Sequence, residues 1–108
     1  MIDSITKIDA SRLRDSAEDA ARLLKVLGNA DRLMLLCELA QGERSVGELE
    51  SLTGIRQPTL SQQLGVLREE RLVETRREGK SIHYRIASPQ AQAVMRVLYE
   101  QFCERKTA

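Results

Sequence analysis

A chain of 108 residues and 12.2 kDa holds enough material for one core and too little for two, which sets aside most multidomain enzymes. Hydrophobic residues at 42% and charged residues at 31% give an ordinary soluble balance, and no apolar run reaches the length of a membrane span or a signal h-region, so a cytoplasmic protein is expected. With 17 Lys+Arg against 16 Asp+Glu the net charge is only +1, and overall charge does not advertise a nucleic-acid partner.

From Leu13 the apolar positions Leu13, Ala17, Ala20, Leu24 and Leu27 recur at spacings of three and four, one stripe of a helix that Gly28-Asn29 ends. Asp31 to Ala40 reads as a second helix, apolar nearly all round and therefore central in the core. Ser45 followed by Glu48 is a capping-box pattern for a short helix through Leu52. Thr53-Gly54-Ile55 then makes a tight turn, and Pro58 is expected at the first position of the next helix, whose inward stripe is Leu60, Leu64 and Leu67. A short capped helix, a Gly-containing turn and a second helix form the helix-turn-helix pattern.

At 100° per residue the opposite face of that second helix carries Pro58, Thr59, Ser61, Gln62, Gly65 and Glu69. A solvated face more often carries Lys and Glu, whereas small hydrogen-bonding side chains near a helix N-terminus suit base edges in a major groove. Leu72 to Arg77 and Ser81 to Ile86 read as two strands around Glu78-Gly79-Lys80. Ile82, Tyr84 and Ile86 share one face, and His83 and Arg85 the other, which with Arg76, Arg77 and Lys80 predicts a basic ribbon beside the groove-bound helix. Ser88-Pro89 caps a last helix with the stripe Ala91, Met95, Leu98, Phe102.

Charge along the chain follows the same plan. Residues 1–55 carry seven basic and ten acidic side chains, a balance of −3, while residues 56–85 carry seven basic and four acidic, a balance of +3. A basic middle in an acidic frame is the footprint of a neutral protein with one face for phosphate, although a solvated charge cluster looks the same on charge alone. The pattern assigns base reading to Gln57, Thr59, Ser61 and Gln62, and backbone anchoring to Arg56, Arg76, Arg77, Lys80 and His83. The partner implied is a double-stranded DNA operator, an inverted repeat. Heptad-like stripes at both ends either cover the core of their own chain or build a homodimer through the first and last helices, and the dimer is favoured because paired half-sites need two recognition helices about one helical turn apart.

Two cysteines and one histidine argue against a disulfide-stapled secreted domain and against a four-ligand zinc site within one chain. Aromatics at 3% leave no platform for stacking single-stranded bases. A Cys–His pair at local spacing, a phosphate-cradling Gly loop and a carboxylate cluster are all missing, so no enzyme and no cofactor are expected.

The phrases LLKVLGNADRLMLLCELAQGERSVGELE, QPTLSQQLGVLREERLVETRREGKSIHYRI and ASPQAQAVMRVLYEQFC resemble the ArsR/SmtB family of winged-helix repressors over roughly residues 15 to 104. The resemblance implies a single mainly α domain spanning residues 1–108, with five helices and a two-stranded wing; residues 1–8 and 105–108 are the candidates for disorder. It also implies a homodimer that holds its operator until an inducer releases it. Family members commonly sense metals through thiolates on the first helix of the helix-turn-helix or through His and carboxylates on the last helix. Here the first place reads Ser45-Val46-Gly47-Glu48-Leu49 and the second has neither His nor Asp, so no metal site is expected. His83, on the wing, needs partners it does not have nearby in sequence to act as a ligand.

The remaining pair, Cys37 and Cys103, looks like that of the BigR/SqrR branch, dithiol sensors of persulfides and polysulfides; the segments REGKSIHYRIASP and LYEQFC strengthen that match. One departure is Gln63, where relatives often carry His after Ser-Gln, which bears on the DNA sequence read rather than on sensing. The resemblance implies that an exposed thiolate, Cys103 by preference, attacks a persulfide, and that Cys37 then closes a di- or polysulfide bridge. Two alternatives stand beside it: the same repressor induced by peroxide, arsenite or a soft metal at the thiols, and a winged-helix protein-interaction module without DNA binding.

Overall fold

Each helix begins where a polar side chain meets backbone N–H groups that a first turn leaves unpaired. The structure is a computed structural model and describes residues 8–103. Asp9 accepts from the Ser11 N–H at 3.0 Å and opens α1 (Ala10–Leu27). Asn29 accepts from the Arg32 N–H at 3.0 Å and opens α2 (Ala30–Ala40), one residue ahead of the expected start. After the short strand β1 (Arg44–Ser45), Ser45 and Glu48 close the reciprocal box at 3.1 and 2.8 Å that opens α3 (Val46–Thr53).

Gly54 ends α3 at φ 76°, a left-handed conformation that glycine adopts without a Cβ clash. Pro58 sits just before α4 (Thr59–Glu69) rather than as its first residue, and the cap comes from Gln57, whose side-chain oxygen accepts from the Ser61 N–H at 3.0 Å. Pro58 has no N–H to donate and no polar side chain to cap with, so its neighbour supplies the acceptor. At the far end of α4, Arg71 takes φ 65°, which lets the N–H groups of Arg71 and Leu72 close back on the carbonyls of Arg68 and Leu67 at 3.0 and 2.9 Å. That turn drops Leu72 into the core and feeds β2 (Val73–Glu78).

β2 and β3 (Ser81–Ile86) pair antiparallel from Val73↔Ile86 to Glu78↔Ser81, leaving Gly79 and Lys80 as a two-residue turn with Gly79 at φ 63°. β1 adds a third strand on the other side of β3, through Arg44↔Tyr84 and Ser45↔His83, giving the order β1-β3-β2. Sequence reading expects only two strands here, because two residues are too few to show alternation. Ser88 caps the last helix, α5 (Pro89–Phe102), through the Ala91 N–H at 3.0 Å.

The core is built around α2, which packs on α1, α3, α4, α5 and β3. Leu35, Leu36, Leu49, Leu60, Leu64 and Leu67 are fully buried, so the inward stripe of α4 lies where its spacing puts it. The result is a mainly helical winged helix-turn-helix with five helices and a small antiparallel sheet.

Three apolar sets do not join that core. In α1 only Val26 and Leu27 are buried, while Leu13 and Leu24 remain 53% and 62% exposed. In α2 Met34 is 46% exposed and Cys37 half-buried, so this helix is not enclosed all round. In α5 Ala91 and Met95 are buried, Leu98 packs against the core, and Phe102 is 64% exposed. The expectation for residues 1–8 and 105–108 falls, apart from Ile8, outside the described residues.

Candidate functional site

Leu49 on α3, Ile55 in the turn and Leu60 on α4 are buried together, and this fixes how α3 presents α4. With its leucine side buried, α4 turns Ser61, Gln62 and Gly65 to solvent and leaves Thr59 half-buried near its N-terminus. Arg56 is exposed just upstream and belongs to no ion pair among the described residues. Gln57 is also exposed; its side-chain oxygen accepts from the Ser61 N–H, which leaves its amide N–H groups and one oxygen lone pair for another partner.

The wing differs from the expected ribbon. Adjacent residues of a strand point to opposite faces, and the register sets Arg76 opposite His83 but Arg77 opposite Ile82. Arg77 therefore leaves the face that Arg76, His83 and Arg85 share. On that face both arginines already have carboxylate partners: Arg76 binds Glu43 at 2.7 Å and Glu78 at 3.0 Å, and Arg85 binds Glu74, while the His83 ring lies 3.8 Å from Glu78. The hydrogen bond from Arg76 holds the Glu43 carboxyl below its ordinary range, and Arg76 is driven further toward its charged form by Glu43 and then Glu78. Arg77, beside it, and Lys80, in the turn, are exposed and outside every ion pair of the described residues. Of the expected anchors, those whose charge is open to a phosphate thus lie at the wing tip and at Arg56, not along one strand face.

Gln63 occupies a different place from its neighbour Gln62. It is half-buried, and its side-chain oxygen accepts from Arg32 of α2 at 2.9 Å. The spacing foretells this, since Gln63 stands three residues after Leu60 and four before Leu67, on the flank of the inward stripe. Glu43 was the other omission from the sequence reading; it stands just ahead of β1, the strand too short to recognise.

The two cysteines share one feature of the surface. Cys37 on α2 is half-buried, Cys103 at the end of α5 is exposed, and both are free. Both line a groove of about 610 Å³ between the two helices, walled by Leu33, Met34, Leu98 and Tyr99. Burial pushes the Cys37 thiol above its ordinary pKa, with smaller contributions from the Glu38 carboxylate and from Cys103. The shift disfavours its thiolate, the more nucleophilic form. Among the described residues no three or more His, Cys, Asp or Glu side chains gather as a metal set, and no helix is long and apolar enough to cross a membrane.

The family model for bacterial regulatory proteins of the arsR family matches residues 29–75, from the cap of α2 into β2. The chain is 54% identical over 99 residues to a biofilm growth-associated repressor of Agrobacterium fabrum, covering 92% of this chain and 85% of that one. Its fold superposes on the crystal structure of the transcriptional repressor BigR from Xylella fastidiosa with a TM-score of 0.86 and 51% identity, over 89% of this chain and 98% of the other. Reduced HlyU from Vibrio cholerae gives a TM-score of 0.81 at 36% identity, over 86% and 98% of the two chains.

Proposed function

The chain belongs to the arsR family of bacterial regulatory proteins, a family of regulators rather than enzymes, and from that premise we propose that it is a homodimeric repressor released from its DNA operator by reactive sulfur. The observation that carries the sensing part is the shared groove: the only two thiols of the chain line one apolar cleft between the central helix and the last. Repressor relatives at more than half identity support the DNA-binding part, and α4 offers the uncharged, hydrogen-bonding face it needs. The apolar stripes left open on α1 and α5, Leu13 and Leu24 on one and Tyr99 and Phe102 on the other, support the dimer.

Cys103, the accessible thiol, attacks the outer sulfur of an organic persulfide RS–SH as its thiolate, forms Cys103–S–SH and expels RS⁻. Cys37, deprotonated as it reacts, attacks Cys103 Sγ, expels HS⁻ and closes a disulfide. A second persulfide lengthens the chain first: Cys103–S–S⁻ attacks the outer sulfur of RS–SH, expels RS⁻ and becomes Cys103–S–S–SH, and Cys37 attack on the middle sulfur then expels HS⁻ and closes a trisulfide. Each added sulfur extends the reach by about 2 Å, so a longer bridge spans thiols that a strain-free disulfide does not. The bridge ties α5 to α2, and a shift at α5 alters the spacing of the two recognition helices. A tenfold loss of operator affinity requires only about 1.4 kcal/mol.

The test uses reduced, oxygen-free protein and a duplex it selects from a random pool. Glutathione persulfide, glutathione disulfide and peroxide are added separately, with intact mass and DNA affinity followed together. Both thiols consumed, with a loss of two hydrogens for a disulfide or a net gain of sulfur for a longer bridge, and DNA released only after persulfide is the expected result, and Cys37→Ser and Cys103→Ser keep the duplex but ignore the persulfide. Release by peroxide alone makes it a peroxide sensor; intact thiols send the inducer back to arsenite or a soft metal. Failure to select any duplex overturns the DNA-binding reading in favour of a protein-interaction module.

A further inference from the structure

Arg32 stands on α2 five residues before Cys37, and its half-buried guanidinium joins three helices. Nε donates to the Val26 carbonyl at 2.6 Å and Nη2 to the Lys25 carbonyl at 3.5 Å, both in the last turn of α1. Nη1 donates to the Gln63 side-chain oxygen at 2.9 Å on the inner flank of α4. Arg32's own N–H is held by the Asn29 cap. A planar fork whose donors are engaged on two sides has one orientation, so the position of Gln63 is set against α1 and α2 together.

The leucine stripe of α4 does not fix the helix this way. Leu60, Leu64 and Leu67 hold it against the core through contacts without direction, which tolerate a small rotation about the helix axis. Such a rotation sweeps Ser61 and Gln62 sideways, and base-edge hydrogen bonds weaken steeply when misaligned. A directional contact one residue from Gln62, on the buried flank, is placed to stop that rotation.

We propose that Gln63 and Arg32 are a positioning pair that sets the rotation of α4 for base reading and couples it to the thiol-bearing helix α2. The coupling half rests on the sulfur-sensing reading of Cys37; the positioning half does not. Any tilt of α2 at Cys37 reaches Arg32 about 7.5 Å along the same rigid helix, and from there one hydrogen bond leads to α4. Gln63 touches no base in this arrangement and acts only through the helix that carries Gln62.

The experiment compares wild type with Gln63→Met, which keeps length and removes the acceptor, with Gln63→Glu, which keeps the acceptor, and with Arg32→Lys, which keeps charge and loses the fork. Two ratios are read for each: affinity for the selected duplex over a scrambled one, and affinity of the reduced over the persulfide-treated protein. Loss of folded protein lowers selected and scrambled binding alike and leaves the first ratio unmoved. Gln63→Met is expected to lower the first ratio about tenfold, with restoration by Gln63→Glu and an intermediate value for Arg32→Lys. The second ratio falls toward one in Gln63→Met while the mass still shows both thiols bridged. An unchanged first ratio in Gln63→Met overturns the positioning role. An unchanged second ratio, with wild type responding normally, overturns the coupling. If wild type itself ignores the persulfide, the sensing reading has failed, and the first ratio alone decides the positioning role.

Discussion

Neutralising Arg77 and neutralising Arg76 are expected to affect DNA binding differently, although the two are neighbours of the same charge. Arg77 is exposed and outside every ion pair of the described residues, so as a proposed phosphate anchor it is expected to replace a condensed counterion on DNA. Each such contact contributes about 0.9 to the slope of log affinity against log salt, which over a change from about 50 to 200 mM amounts to about 3.5-fold. With one wing from each chain of a dimer, Arg77→Ala flattens the slope by about 1.8 and the salt response by about twelvefold. Arg76 stands between Glu43 at 2.7 Å and Glu78 at 3.0 Å, a trio whose charge is already negative. Arg76→Ala therefore leaves the slope nearly unchanged, and Glu43→Gln, which removes one of the two carboxylates and leaves Arg76 and Glu78 as a neutral pair, steepens it. Fluorescence anisotropy of a labelled duplex across a salt series measures all three. Equal flattening by Arg76→Ala and Arg77→Ala would refute the reasoning, because it would show that the carboxylates let go of Arg76 when phosphate arrives.

Acid is expected to destabilise the fold in a way that four carboxyls explain. Glu43 is held below its ordinary pKa first by the Arg76 hydrogen bond, Glu48 by the Ser45 backbone N–H, Glu70 by Arg22, and Asp9 by the Ser11 hydroxyl. The unfolded chain takes up protons at these groups first, so their stabilisation is complete above the ordinary carboxylate values of about 4 and is lost as pH falls through the lowered folded values. Urea midpoints at fixed protein concentration should decline below about pH 4, with the Glu43 and Glu70 parts weakened by salt and the Glu48 part, which rests on a backbone hydrogen bond, persisting. A midpoint indifferent to pH in that range would count against these contacts. Arg71→Gly, in contrast, should stabilise: a non-glycine residue at φ 65° carries about 1–2 kcal/mol of strain, partly offset by the greater freedom glycine brings to the unfolded chain. A gain of about 0.5–1 kcal/mol raises Tm by about 2–6 °C in a domain of this size, and a fall in Tm sinks the assignment of strain to this turn.

What the sequence disclosed followed from periodicity and caps. The Ser45–Glu48 box, the turn at Gly54 and the leucine stripe of α4 were all readable, because each depends on residues within one or two turns of one another. The strand Arg44–Ser45 was not, since its only partner, β3, lies some forty residues away and two residues show no pattern. The same gap hid Glu43, and with it the neutralised face of the wing: counting charges along the chain finds a basic segment, whereas pairing across 33 positions decides which cations remain open. The separation of Arg76 from Arg77 was readable, since alternate residues of a strand face opposite ways, and so was the inward place of Gln63. Whether Leu13 and Leu24 met the core of their own chain was not, because a stripe records that a face is apolar and not what covers it.

The division of α2 explains how a thiol bridge and an intact fold are compatible. Leu35, Leu36 and Leu39 occupy one side of the helix and are almost fully buried, whereas Leu33, Met34, Cys37 and Ala40 line the groove on another. Sulfur added at Cys37 therefore enters space that is already open, and none of the buried leucines has to move to admit it. Had Cys37 replaced Leu36, the same chemistry would overpack a close-packed interior at a cost of about 1–3 kcal/mol, and the signal would be loss of the fold. On the groove side, under the proposed sensing, the added atoms would act on the position of α5 relative to α2 instead. In the proposed dimer, the open stripe of α5, with Tyr99 and Phe102 half or more exposed, is where that displacement would meet a second copy of the chain.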